Sequence, residues 1–577
     1  MTTISGITKF ESLSNELMFE IFDYLGIYQA YQIFFNLNER FQQLSTSSNQ
    51  LIEVNLFNLS KSSFEEHYQE FFQLNIHRIR SLYIFNRSMM NSIISFLPSR
   101  TLFNRLETLY LNNLDLTNSI QLFNYLSLLP KLSSLILCIL DGDFDRNMLY
   151  NGIFRLSSLK YCKISSNSFH NAEHGLIPII NRNQSPIEHL IIDFIIYPEE
   201  LRYVLSYVPY LRRLSANLTS RRTFLRQSIR AISNSLTHVS IRLRDMSFNE
   251  FEPYMKMFFS NLQVFYLSTE RDNQYLNAHR WEHLITNYMS HLRIFDLQHK
   301  TSLRKNIQRQ HLLKQFSTLF WNRRKWIFTH GYQYSYQGCF YSTEPYRREK
   351  YTLRYDKNQP KYLTQINNNN LTSVRHVLVQ HRFIIENQSI NFPNLTELTF
   401  GEHVYISDKL LKNISKSNIL LLQVTKITIN NIDVGFYAII KLLCLTPNCK
   451  KLTLSSLLFE TENMTLTQLD KEYFENFSSK NIIQHVTMKL YSFADIQLLV
   501  KFLRRLEYLT ISGECEFQEI IKYLLTEKKY TRYLHSLHIQ SEEDIWQEQL
   551  INTIQEIGQN DRVSINFINY RECYLWW

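Results

Sequence analysis

The sequence predicts an α/β fold, a solenoid whose curved parallel sheet is backed by outer helices and preceded by a small all-α segment. Three observations carry that expectation. The spacing apolar-x-x-apolar-x-apolar, as in Leu106-Glu-Thr-Leu109-Tyr-Leu111, returns along nearly the whole chain. Between those stretches the apolar spacing becomes helical, and the first 47 residues do not follow the repeat.

Anchors of the pattern fall at Leu51, Ile79, Leu106, Leu132, Leu159, Ile187, Leu211, Leu236, Leu262 and Leu292, mostly 24 to 30 residues apart. After a gap they resume at Val374, Leu395, Val424, Cys449, Ile483, Leu506 and Leu534. The last two apolar positions of each unit alternate with polar ones, as in Leu398-Thr-Phe400, so a short strand points every second side chain inward. Leu201, Val204, Leu205 and Val208 fall on one helical face, as do Ile496, Leu499, Val500 and Leu503. Pro130, Pro209, Pro393 and Pro447 each stand two residues before an anchor, where proline stops a helix and lets the next strand begin.

One strand and one helix cannot bury an apolar face alone, but stacked copies bury a continuous core. The series resembles the leucine-rich-repeat family over residues 48–577. Because helices are wider than strands, the resemblance implies a stack that curves with its sheet on the inside. Repetition also lets 577 residues form one body instead of several globular domains. With 11 Gly and 11 Pro the chain has little material for flexible linkers or phosphate-cradling loops. Seven cysteines without a C-x-x-C pair, among them inward Cys162 and anchor Cys449, read as reduced core thiols. That points to an intracellular setting, cytoplasm or nucleus. No signal peptide is expected, and no apolar run approaches the roughly 18 residues of a membrane span.

In residues 10–44 the spacing is helical. Leu17, Ile21 and Leu25 stand four apart with Met18 and Phe22 beside them, a short amphipathic helix that Ser14 or Asn15 can cap. A second helical stretch from Tyr28 to Leu44 carries Tyr31, Phe34, Phe35, Phe41 and Leu44. A segment this short holds too little core to stand alone, so it is expected to offer an apolar face to another protein. Leu13-Ser14-Asn15-Glu16-Leu17, Ile21-Phe22-Asp23-Tyr24-Leu25 and Leu37-Asn-Glu-Arg40-Phe41-Gln-Gln-Leu44 together resemble the F-box, with Ser14 where the family has proline. The resemblance implies that Leu13, Leu17, Ile21, Phe22 and Leu25 dock a Skp-type adaptor, and through it the cullin and RING subunits of a ubiquitin ligase. The domains would then be residues 1–47 as F-box and 48–577 as repeats.

The period fails in an irregular insertion at 299–372. Lys300 to Lys357 carries 13 Lys or Arg against 3 acids, a local charge equal to the +10 of the entire chain, so the rest sums to zero. Its aromatics Phe320, Trp321 and Trp326 flank Arg323-Arg324-Lys325, and Tyr332, Tyr334 and Tyr336 follow in strand alternation. These residues suit an enlarged repeat or a β-hairpin, with an exit through Asn367 to Asn370. The aromatics could pack beneath solvated charges, bind an acidic or phosphorylated protein segment, or stack on single-stranded nucleic acid.

On the strands, Tyr110, Lys163, His189, Arg213, Tyr266 and Asp296 alternate with core positions and should face the concave side. With Arg323, Arg324, Lys325 and Trp326, the first five of them form the candidate substrate surface. The ending Tyr574-Leu575-Trp576-Trp577 is expected to cover the last open edge. No G-x-S-x-G or H-E-x-x-H occurs, and neither His535 with His538 nor His376 with His381 has a spacing that favours chelation. Neither catalytic residues, nor metal, nor cofactor are therefore expected. The expected role is a non-catalytic substrate-recognition subunit of an SCF-type E3 ubiquitin ligase, feeding proteasomal degradation. A ligase-independent protein-interaction scaffold, or an RNA-binding protein acting through residues 300–357, are the alternatives.

Overall fold

The computed structural model describes residues 10–25, 27–46, 51–56, 71–72, 74–85, 103–114, 119–139, 145–166, 184–220, 235–301, 306–332, 338–344, 349–353, 371–380, 392–402, 404–416, 421–431, 435–455, 477–490, 492–513, 517–541, 547–558, 562–569 and 571–577. Tyr334, Tyr336, Asn367 to Asn370, His381 and Cys515 lie outside them. The architecture is α/β, with large, mostly parallel sheets and helices between successive strands. The chain divides into two compact units, Met1–Arg242 with Glu252–Leu262, and Leu243–Phe251 with Gln263–Trp577.

The first unit opens with helices α1 (Asn15–Leu25), α2 (Ile27–Phe34) and α3 (Glu39–Thr46). Strands β1 (Ile52–Asn55), β2 (Ile79–Ile84), β3 (Thr108–Leu114), β4 (Ser134–Ile139), β5 (Tyr161–Ser166), β6 (His189–Ile196) and β7 (Arg213–Thr219) follow. Each of these strands pairs in parallel with the next. The crossovers include the helices Ser119–Leu126, Arg146–Phe154 and Pro198–Tyr207. β8 (His238–Arg244) comes last, with Leu243 and Arg244 counted in the second unit.

The second unit holds β9 (Val264–Glu270) and β10 (Ile294–Thr301) in parallel. An antiparallel hairpin of β11 (Ile327–Tyr332) and β12 (Gly338–Glu344) then adds to β10 through β12. The basic, aromatic insertion thus contains a β-hairpin, one of the two forms expected of it, although of the alternating tyrosines only Tyr332 lies in a described strand. A ten-stranded sheet follows. Its parallel part is β13 (Lys350–Leu353), β14 (His376–Val379), β15 (Glu397–Phe400), β16 (Lys426–Ile429), β17 (Lys451–Leu454), β18 (His485–Leu490), β19 (Tyr508–Gly513) and β20 (Ser536–Ser541). β22 (Glu572–Trp576) adds antiparallel to β20, and β21 (Ser564–Asn569) lies outside it. The C-terminal residues therefore do cover β20, with Leu575 and Trp576 buried, although β21 forms the final edge.

The repeat spacing has a direct physical counterpart. Every anchor except Leu51 is buried, at most 7% exposed. Leu51, the first of the series, is exposed. One inward row runs Leu82, Leu109, Leu135, Cys162, Leu190 and Leu214 across β2 to β7, all buried. Helices stop before Pro130, Pro209 and Pro447. Because Leu109 is only 4% exposed between Leu82 and Leu135, Leu109→Ala should cost roughly 2–5 kcal/mol in chemical denaturation. A cost below about 0.5 kcal/mol would contradict its place in the packed row.

Cys162, Cys339, Cys449 and Cys573 are buried free thiols, Cys138 is half-buried, and Cys444 is an exposed exception to the core reading. Among the described residues no helix is long and apolar enough to cross a membrane.

Candidate functional site

The N-terminal helices fill a small aromatic interior of their own. Phe34 stacks on Phe10 at 5.5 Å and meets Phe22 at 5.3 Å and Phe41 at 5.5 Å between ring centroids. Met18 and Phe22, four residues apart, share this inner face and are buried. At the start of α1 the Leu17 N–H donates to Ser14 Oγ at 3.4 Å, the capping role that the sequence suggests for Ser14. From α3, the Arg40 guanidinium donates to Asn15 Oδ1 at 2.8 Å and to the Leu13 carbonyl, tying the two helices together.

The opposite face of α1 is open. Leu17 is 46% exposed and Tyr24 is 91% exposed, with half-buried Ile21 between them at the same helical azimuth. Leu13 and Leu25 are half-buried, while Ile33 and Leu37 add exposed apolar surface after them. Phe22 is corrected from docking residue to core residue, since at 1% exposure its ring belongs to the aromatic interior. Tyr24 was the residue missed, although its i+7 spacing from Leu17 carries the signal.

This helical head is fixed to the first strands. The Tyr31 ring meets Phe71 edge-on at 5.2 Å. Buried Arg78 donates at 2.8 Å to the Ser45 carbonyl and to Asn75 Oδ1, so its guanidinium joins the end of α3 to the turn before β2. Such a link holds the head's open face in a set orientation to the sheet of its own unit.

On the solvent face of that sheet, positions two after each anchor line up. Tyr161 meets His189 edge-on at 5.0 Å, His189 is in register with Arg213, and His238 occupies the same place in the next repeat. Burial, then the charges of Arg213 and His238, hold the His189 imidazole below its ordinary range. Burial and Arg213 do the same to His238. The positive charge of this face therefore rests on Lys163, Arg213 and Arg242, with Asp193 the nearby acid that accepts from Asn217 Nδ2. Tyr161 and His238 were missed, yet both are readable from the anchor-plus-two position that yields His189 and Arg213.

The other candidates lie apart from this cluster. Tyr110, on β3, packs against Tyr83 and Phe85, and its hydroxyl accepts from the Cys138 thiol at 3.5 Å. Burial first, and Cys138 second, push its pKa up. Tyr266 lies half-exposed on β9, in the second unit. Asp296, its partner on β10, is buried because the hairpin brings Ser342 to donate to its carboxylate, which removes it from the open face.

In the insertion, Arg323, Arg324 and Lys325 are exposed on a turn held by two buried indoles, Trp321 and Trp326. Arg324 lies over the Phe320 ring at 3.9 Å, and Lys325 adopts a left-handed φ of 56°. Trp326 is corrected from contact residue to core residue. It is 1% exposed, packs against Phe295 and Trp321, and donates its Nε1–H to the Arg293 carbonyl at 3.2 Å.

No protein-family model and no curated protein matches this chain. Among the described residues no group of three or more His, Cys, Asp or Glu could hold a metal ion. What these arrangements can do chemically is bind, through an apolar helical face and through separate cationic surfaces.

Proposed function

We propose that the chain is the non-catalytic substrate-recognition subunit of an SCF-type ubiquitin ligase, an F-box followed by leucine-rich repeats. The observation that carries this reading is the apolar stripe Leu17, Ile21 and Tyr24, left outward on a head whose interior is already filled by phenylalanines. Covering one large aliphatic side chain is worth about 1.5–3 kcal/mol, so a Skp-type adaptor seated on this stripe is held by several such terms. The cationic sheet face at Lys163, Arg213 and Arg242 and the Arg323 to Lys325 turn are the surfaces left for a protein target. The chain works by proximity, raising the effective concentration of a target lysine at the ubiquitin carrier, while partner subunits perform the transfer.

The test is co-purification of the adaptor with the full chain and with the double variant Leu17→Asp and Ile21→Asp. The variant should lose the adaptor while keeping the circular dichroism and denaturation midpoint of the parent. Retained binding sinks the docking assignment and leaves a ligase-independent scaffold. Phe22→Asp makes a useful contrast, because that side chain faces inward and its replacement should unfold the head rather than only unseat the adaptor.

A further inference from the structure

Two cavities in the second unit share Ile482. One, about 180 Å³, is lined largely by apolar groups that include Leu443, Cys444, Pro447, Phe477 and Ile483, with Lys480 beside them. The other, about 420 Å³, is lined by Lys450, Gln484, Arg505, Glu507 and Tyr533. That volume lies within the roughly 300–1,000 Å³ of ordinary ligand clefts.

The register orders their walls. Lys451, His485 and Tyr508 are partners on β17, β18 and β19, so Lys450, Gln484 and Glu507 stand side by side one residue before those strands. Backbone bonds from Gln484 N–H to the Lys450 carbonyl at 3.0 Å and from Glu507 N–H to the Gln484 carbonyl at 2.9 Å fix that row. With strands about 4.8 Å apart, Lys450 and Glu507 are separated by roughly 10 Å, the span of about three extended residues. The apolar chamber lies at the Lys450 end, and Tyr533 lies at the Glu507 end.

Burial raises the Glu507 carboxyl, and the Gln484 hydrogen bond and the charge of Lys450 draw it back only in part, while no salt bridge pairs the charges of this groove among the described residues. Lys450, Lys480 and Arg505 have no ion-pair partner among the described residues. Glu507 accepts from Gln484 Nε2 at 2.8 Å through one oxygen, while the other is buried without a hydrogen-bond partner. Glu507 is half-buried and lines the cavity, so its carboxylate borders the groove. The lining thus asks for an anion beside an apolar group, followed a few atoms away by an N–H donor.

We propose that this groove binds the C-terminus of a partner polypeptide that ends in an apolar residue. The terminal carboxylate sits between Lys450 and Lys480, the last side chain enters the chamber beside Cys444 and Phe477, and an upstream backbone N–H donates to Glu507. Tyr533 packs against the residue before it. The site is independent of adaptor docking; if the ligase reading holds, it names a class of target.

The experiment is fluorescence anisotropy with the full chain and a short labelled Gly/Ser peptide ending in Leu, as free acid and as C-terminal amide, with unlabelled leucine as competitor. The free acid should bind saturably, the amide at least about tenfold more weakly, and leucine should compete only feebly. Lys450→Glu with Lys480→Glu, exposed positions that should fold normally, should abolish the difference between acid and amide. Cys444→Trp, which fills the chamber, should weaken the Leu-ended peptide more than one ending in Gly. Equal binding of acid and amide, undiminished binding by the lysine variant, or no saturable binding of peptides ending in Leu, Ile or Phe overturns the proposal. Leucine competing as well as the peptide also overturns it, in favour of a small-metabolite site.

Discussion

Trp281→Ala should destabilise the second unit by about 3–5 kcal/mol, the range for removing a buried aromatic side chain and leaving its cavity. Trp281 is fully buried on the helix Ala278–Tyr288, with ring centroids 4.9 Å from both Phe248 and Phe295. Phe265 and Tyr275 lie further out at 6.4 and 6.5 Å, so the truncation removes the centre of an aromatic cluster instead of its rim. The indole Nε1–H also donates to the Tyr275 carbonyl at 2.8 Å, and its loss leaves that buried acceptor unpaired. Hydrogen exchange should therefore quicken in the helix Ala278–Tyr288 and in β9 and β10. Trp281→Phe keeps most ring contacts and should cost distinctly less. Equal costs would mean that the hydrogen bond to the Tyr275 carbonyl, which both substitutions remove, governs stability there and the cavity does not.

What the sequence made readable, and what it hid, follows from the distance over which each cause acts. The strand series was legible because burial of Leu82, Leu109, Leu135 and their successors repeats locally, with a period that each anchor displays by itself. The inner and outer faces of α1 were not, because a single helix shows two apolar stripes. Met18 with Phe22 and Leu17 with Ile21 are both spaced by four, and only the rings of Phe10, Phe34 and Phe41 decide which pair turns inward. Trp326 misled for a similar reason, since three exposed cations precede a side chain whose large apolar area draws it into the core beside Phe295. Asp296 is covered by Ser342, a residue 46 positions away, which no local pattern announces. The groove at Lys450, Gln484 and Glu507 gathers residues from successive repeats, and becomes visible only when the register places them in one row.

Arg146→Ala should cost the first unit about 3–5 kcal/mol, as expected when one member of a buried ion pair is removed and the other charge is left without a partner. Arg146 Nη1 donates to Glu200 Oε2 at 2.8 Å, and the Tyr150 hydroxyl donates to Glu200 Oε1 at 2.8 Å. Glu200 is 4% exposed. Burial raises its carboxyl above the ordinary carboxylate range, and Arg146 and Tyr150 offset that only in part. An acid raised on folding contributes stability that is full below its unfolded-state value and is lost as pH rises through the folded-state value. Removing Arg146 lifts the folded-state value further, so the deficit of Arg146→Ala should be large at neutral pH and shrink as the solution is acidified toward the ordinary carboxylate range. Urea midpoints of parent and variant across that range measure it. Replacing both charges, Arg146→Met with Glu200→Leu, should recover most of the loss, because an apolar pair in the same space leaves no stranded ion. A deficit of the same size at every pH, or a double variant as unstable as the single one, would show that lost packing of Arg146 over Phe194, 5.0 Å away, matters more than the charge.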